Sequence, residues 1–113
     1  MSRKTVNEIC AALPGAEHSD PWGGGHDCWK VGGKMFAVIG AMNEAVSVKT
    51  DSVELAEMLI EAGRATRAAY MHRTWVAMPV DGDPEELRHR LEGSYRIIRN
   101  ALPKKFQATL EDF

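Results

Sequence analysis

Between His26 and Lys49 the chain contains three short strand-like runs, and the turns between them leave little freedom in how they pair. In residues 26–31, Asp27, Trp29 and Val31 alternate with His26, Cys28 and Lys30, the period-two pattern of a half-buried strand. Gly32-Gly33 follows, a two-residue turn that reaches positive φ without strain. Residues 35–39 are a compact apolar run, AMNE makes a second turn, and in residues 45–49 Val46 and Val48 alternate with Ser47 and Lys49. Runs this short, joined by turns this tight, predict an antiparallel meander.

The flanks supply helices. Val6, Ile9, Cys10 and Leu13 fall at i, i+3, i+4 and i+7, with Ser2 or Thr5 as cap, a Thr5/Glu8 capping box and a Pro14-Gly15 stop. A short extended piece spans 16–22. After the meander, Thr50 or Asp51 caps a second helix with an inward stripe of Leu55, Met58, Leu59 and Ala62, closed by Gly63. Residues 64–73 read as irregular or extended, and 75–80 as a strand whose end Pro79 places at an edge. Asp83 caps the last helix, Pro84 takes its first position and Glu86 closes a capping box. Leu87, Leu91, Tyr95, Ile98 and Leu102 face inward. Gly93 costs that helix about 1 kcal/mol against alanine, which implies a close contact there. Pro103 ends the helix, and residues 104–113 are expected to pack loosely. The order α-β-β-β-β-α-β-α predicts an α+β two-layer sandwich, an antiparallel sheet with helices on one face, in a single domain over 1–113.

At 113 residues such a domain buries a real core without staples. No apolar run approaches the ~18 residues of a membrane span, and the N-terminus reads poorly as a signal peptide. A cytoplasmic protein with Cys10 and Cys28 as reduced thiols is expected, with no membrane partner.

The glycine-rich stretch 23–37 invites three chemical readings. A phosphate loop needs Gly-Lys-Ser/Thr followed by a helix, but Gly33-Lys34 leads into Met35 and a strand. A metal site drawn from His18, Asp20, His26, Asp27 and Cys28 has suitable ligand types but no recognised spacing. Cys28 with His26 and Asp20 as a catalytic set has nothing to activate the thiol. The sequence therefore predicts no enzyme, no cofactor and no metal. Cations remain. Lys30 and Lys34 flank the turn, Lys49 projects from a neighbouring strand, and the acid-free segment between Glu61 and Asp81 holds Arg64, Arg67 and Arg73 with Tyr70 and His72 among them. Basic residues interleaved with aromatics bind phosphates and stack on bases. The net charge of −2 argues against a general affinity for nucleic acid.

In order and spacing, LPGAEHSDPWG, WKVGGKMFA, VSVKTD, YMHRTWV and EELRHRLEGSYRIIRNALPKK resemble the MmcQ/YjbR family over about residues 3–105. The resemblance implies a fold similar to the bacterial frataxin-like (CyaY-like) arrangement. It also implies DNA binding, because the hairpins of that fold are likened to a "double wing". The family pattern matches lysines at Lys30, Lys34 and Lys49 and a basic-Trp strand start at Arg73 to Trp75. Thr74 stands where the family commonly has His. Iron binding, which in frataxin uses an acidic first helix, finds only Glu8 here. The expected function is thus a DNA-binding module, with a role in transcriptional regulation, using Lys30, Lys34, Lys49, Arg64, Arg67, Tyr70, His72 and Arg73. The alternative is a module for an anionic small molecule or a protein partner at the same cluster.

Overall fold

The structure is a computed structural model that describes residues 2–41 and 44–113. The turn expected over AMNE includes Met42 and Asn43, which lie outside the described residues. Among the described residues are six strands and four helices. The first helix, α1 (Arg3–Ala11), starts at Ser2, whose hydroxyl accepts from the Thr5 N–H at 3.3 Å. Thr5 thus sits inside the helix rather than capping it. Then come β1 (Glu17–Ser19), β2 (Asp27–Val31), β3 (Lys34–Ile39) and β4 (Ala45–Lys49). They are followed by α2 (Val53–Glu61), β5 (Thr66–Arg67), β6 (Trp75–Pro79), α3 (Pro84–Asn100) and a single turn of helix, α4 (Lys104–Gln107). The strands form one antiparallel sheet in the order β1-β2-β3-β4-β6-β5, which confirms the α+β class.

The predicted hairpin is present: Val31 pairs with Lys34 across Gly32 and Gly33, at φ 58° and 78°. One feature of it could not be anticipated. The register shifts between Trp29 and Lys30, so that Trp29 faces Ala37 while Lys30 faces Met35, leaving Phe36 as an extra residue on β3. Such a bulge turns two consecutive side chains to one face, and both Phe36 and Ala37 enter the core. Ser94 on α3 stitches the sheet there. Its hydroxyl donates to the Phe36 carbonyl at 2.6 Å and accepts from the Lys49 N–H at 2.9 Å, satisfying one buried and one partly buried backbone group from two strands.

Four local expectations are corrected. Ser52, not Thr50 or Asp51, caps α2, accepting from the Leu55 N–H at 3.1 Å. The Thr50 hydroxyl is taken by the Thr74 carbonyl of the neighbouring connection, at 2.6 Å. Starting there, α2 buries Ala56 and Leu59 and leaves Met58 62% exposed, outside the stripe. Asp83 caps α3 as expected, but the Glu86 carboxylate pairs with Arg64 at 2.7 Å instead of closing the box. Finally, Gly93 has no close neighbour, since a Cβ there would meet nothing within 4 Å. Gly93→Ala should therefore raise stability by about 1 kcal/mol through helix propensity alone, read as a higher urea midpoint; a loss would restore the close-contact reading.

Helices α1, α2 and α3 bury their stripes in one apolar cluster with Trp29, Ile39, Val46, Val48, Val76 and Met78 of the sheet. The segment after Pro103 is also engaged. Leu110 packs against the core, and the Phe113 ring meets Tyr95 edge-on at 5.0 Å with the Arg96 guanidinium over it at 4.5 Å. None of the described helices is long and apolar enough to cross a membrane.

Candidate functional site

The face of the sheet opposite the helices holds a groove of about 590 Å³, lined only by strand and loop residues. Its floor follows from the pairing register. Directly opposed residues share a face, and one row crosses all six strands: Ser19, Cys28, Val38, Ser47, Ala77 and Thr66. Every member is small or medium-sized. A sheet face normally fills with larger side chains, so this row leaves a trough, from Val38 through Ser47 and Ala77 to Thr66, with Met35 beside it.

Two loops form the rims. In the first, the Asp20 carboxylate accepts from the backbone N–H groups of Gly25 at 2.9 Å and His26 at 3.1 Å. Gly23, Gly24 and Gly25 all take positive φ (70°, 86° and 98°), which only glycine adopts freely in sequence. The Arg3 guanidinium donates to the Gly25 carbonyl at 2.5 Å. This tethered loop presents Trp22, 63% exposed, with its ring 5.2 Å from that of His26. The second rim is residues 67–71, where Tyr70 is fully exposed and holds φ 67°, an uncommon conformation for a residue with a Cβ.

The eight residues singled out from sequence do not assemble into one surface. Arg67 and Tyr70 border the groove, Arg67 from the sheet margin, since its partner Val76 faces the helix-side core. Lys30 and Lys34 lie on opposite faces of the hairpin, because Lys30 pairs with Met35 on the groove side while Lys34 pairs with buried Val31 on the helix side. Lys49, expected to project freely, donates from Nζ to Thr74 Oγ1 at 2.9 Å, and that hydroxyl also meets His72 Nδ1 at 3.0 Å. Arg64 pairs with Glu86 and Arg73 with Glu57, at 2.7 and 2.8 Å. The acid-free run is thus partly neutralised by carboxylates from α2 and α3. Trp22, Met35, Val38, Ser47, Met71 and Ala77 were not singled out as site residues, and His26 was weighed only as a metal ligand or a partner of Cys28. A tryptophan beside three glycines was the one signal available for them.

The polar residues of the glycine-rich stretch serve structure. Asp27 accepts from Arg3 Nε at 2.6 Å, Asn7 Nδ2 at 3.0 Å and His18 Nε2 at 2.6 Å, and Trp29 Nε1 donates to Asn7 Oδ1 at 2.9 Å. The network ties α1 to β1 and β2. Partial burial would raise the Asp27 carboxyl, but the hydrogen bonds from Asn7, Arg3 and His18, with the Arg3 charge, outweigh it and lower the group from 3.8 to about 2. A carboxylate held down in the folded state stabilises above its unfolded pKa and loses that contribution as pH falls through the folded one. Stability should therefore drop between about pH 4 and pH 2, by roughly 1–2 kcal/mol from Asp27 because water still reaches the side chain. Asp27→Asn should flatten that part of the pH profile in urea titrations; an unchanged slope would exclude Asp27 as its source.

Burial pushes Cys10 up to about 12, aided by Asp27, and raises Cys28 against the opposing pull of Lys30. Neither thiol is poised as a nucleophile. Among the described residues, no group of three or more His, Cys, Asp or Glu side chains is placed to hold a metal ion.

Among known structures, the chain is similar to the Deinococcus radiodurans protein DR2400, described as carrying a DUF419 domain. The two share 22% identity and a TM-score of 0.85 over 96% of this chain and 86% of that one, a likeness of fold. No curated protein matches the chain significantly. The model of the YjbR family matches residues 11–97, the span that contains the hairpin, every strand and most of α3. The chain belongs to the YjbR family.

Proposed function

We propose that the protein is a small binding module that seats its ligand in the groove on the open face of the sheet, and that the ligand is an anionic small molecule with a flat apolar body. The row of small residues running beneath two exposed rim aromatics carries this reading. Arg67 supplies the charge; no ion pair to it is present among the described residues, unlike Arg64 and Arg73. Thermal-shift screening against small anions tests the proposal. A ligand should raise Tm by mass action, and Ser47→Phe, which fills the trough, should abolish the rise. An equal rise in that variant would place binding elsewhere.

A second reading, a DNA-binding wing, draws on Lys30 and Lys34 at the hairpin, neither of which is ion-paired among the described residues. Two phosphate contacts would give a slope of about −2 in log affinity against log salt. Anisotropy of labelled duplex with Lys30→Ala/Lys34→Ala checks it: loss of binding supports the wing, and unchanged binding removes it.

A further inference from the structure

We infer that the ligand of this groove is a nucleobase bearing a phosphate, stacked on the rim aromatics with its phosphate on Arg67. The inference rests on the groove reading above and narrows its chemistry. Four observations carry it.

The first is how the aromatics are held. Trp22 and Tyr70 are large apolar side chains left in water on opposite rims of one trough. Neither is there by default. The Trp22 loop is tied by Asp20, by Arg3 and by the contact between His26 Nδ1 and the Gly23 carbonyl at 3.0 Å. Tyr70 has φ 67°, an uncommon backbone conformation for a residue with a Cβ, and its ring is fully exposed. An exposed ring on a tethered loop beside a sheet face suits a flat aromatic ligand, because stacking costs that loop little further ordering, and Tyr70 can close on it from the other rim.

The second is the polar complement at the ring's edge. A contact to a carbonyl requires His26 Nδ1 to carry the proton, so in the neutral ring Nε2 is left as an acceptor. Ser47 on the floor both donates and accepts. A heterocycle with N–H and carbonyl groups at its edge can use both, whereas a plain hydrocarbon ring would leave them unpaired.

The third is charge. Arg67 borders the same groove from the two-residue edge strand; its pairing with core-facing Val76 starts the side chain on the helix side, and the proposed contact has it turn around that short border so that its planar guanidinium forks onto a phosphate.

The fourth separates single bases from duplex. Stacking requires an unpaired base face, which a duplex does not present. The dispersal of the remaining cations, with Arg64 and Arg73 in ion pairs and Lys34 on the other face, does not favour tracking a paired backbone. The shared chemistry is a free mononucleotide or an unpaired base within a single strand.

The test titrates the full chain with AMP, UMP, adenosine, a short single-stranded oligonucleotide and its blunt duplex, reading tryptophan fluorescence and binding heat. Trp29 and Trp75 are buried, so quenching reports mainly Trp22. The expected result is binding of AMP or UMP, of the single strand, or of both, with the duplex clearly weaker. Trp22→Ala and Tyr70→Ala should each weaken it by about tenfold to a hundredfold. Both side chains are exposed, and circular dichroism checks that the variants fold. Arg67→Gln should weaken AMP while leaving adenosine unchanged. Preference for the mononucleotide identifies a small-molecule site; preference for the oligonucleotide identifies a single-strand site.

The inference fails if neither nucleotides nor single strands bind, or if the aromatic variants bind them as well as the parent. If nucleotides fail while another flat anion gives a thermal shift that Ser47→Phe removes, the nucleobase assignment falls and the groove reading stands. If no ligand shows sensitivity to Ser47→Phe, both fall.

Discussion

Tyr95→Ala should lower the unfolding free energy by about 3–5 kcal/mol, the range for large aromatics removed from a core. Tyr95 is fully buried where three parts of the chain meet. Its ring lies edge-on to Phe36 at 5.3 Å and to Phe113 at 5.0 Å. Its hydroxyl donates to the Pro14 carbonyl and accepts from the Arg99 guanidinium at 3.0 Å. Tyr95→Phe keeps the ring and removes only the hydroxyl, so it should cost about 1–2 kcal/mol. Urea unfolding of both variants separates packing from hydrogen bonding. A Tyr95→Ala loss no larger than that of Tyr95→Phe would refute the packing account.

Trp75→Ala should be comparably damaging, again about 3–5 kcal/mol, although its position is different. Trp75 pairs with Lys49, which places it on the same face as the groove, yet it is only 8% exposed. The open face is therefore divided: a packed end around Trp75 and a hollow centre over Ser47 and Ala77. A neutral Trp75→Ala would mean that the ring is an accessible contact and that the binding surface extends to this end. Loss of ligand affinity without loss of stability would say the same.

The range of an interaction decides whether it can be read from the chain. The meander, the Gly32-Gly33 turn and the Asp83-Pro84 start of α3 were legible because each is set by neighbours a few residues apart. The family was legible for the same reason, as an ordered string of local motifs. What pairing register decides was not. The bulge at Phe36 needs knowledge of which residue faces Trp29, and the Ser94 bridge follows only once that bulge exists. The site suffered most. Counting acids along residues 61–81 predicted a basic surface, but Glu57 and Glu86 reach it from other elements and neutralise two of its arginines. The groove floor takes Val38, Ser47, Ala77 and Thr66 from four different strands, so no window of sequence contains it. Gly93 shows the opposite error, in which a local rule implied a tertiary contact that is not there.

The two strands that border the sheet are stubs of three and two residues. Growth of a sheet across molecules requires a run of unsatisfied peptide groups long enough to register a newcomer, and these margins offer scarcely one repeat of the ladder. Runaway fibrillar association is thereby discouraged, even though the strands within are rich in valine, isoleucine and aromatic residues. The chain can leave the broad face of its sheet hollow and wet because its borders are too brief to recruit a neighbour.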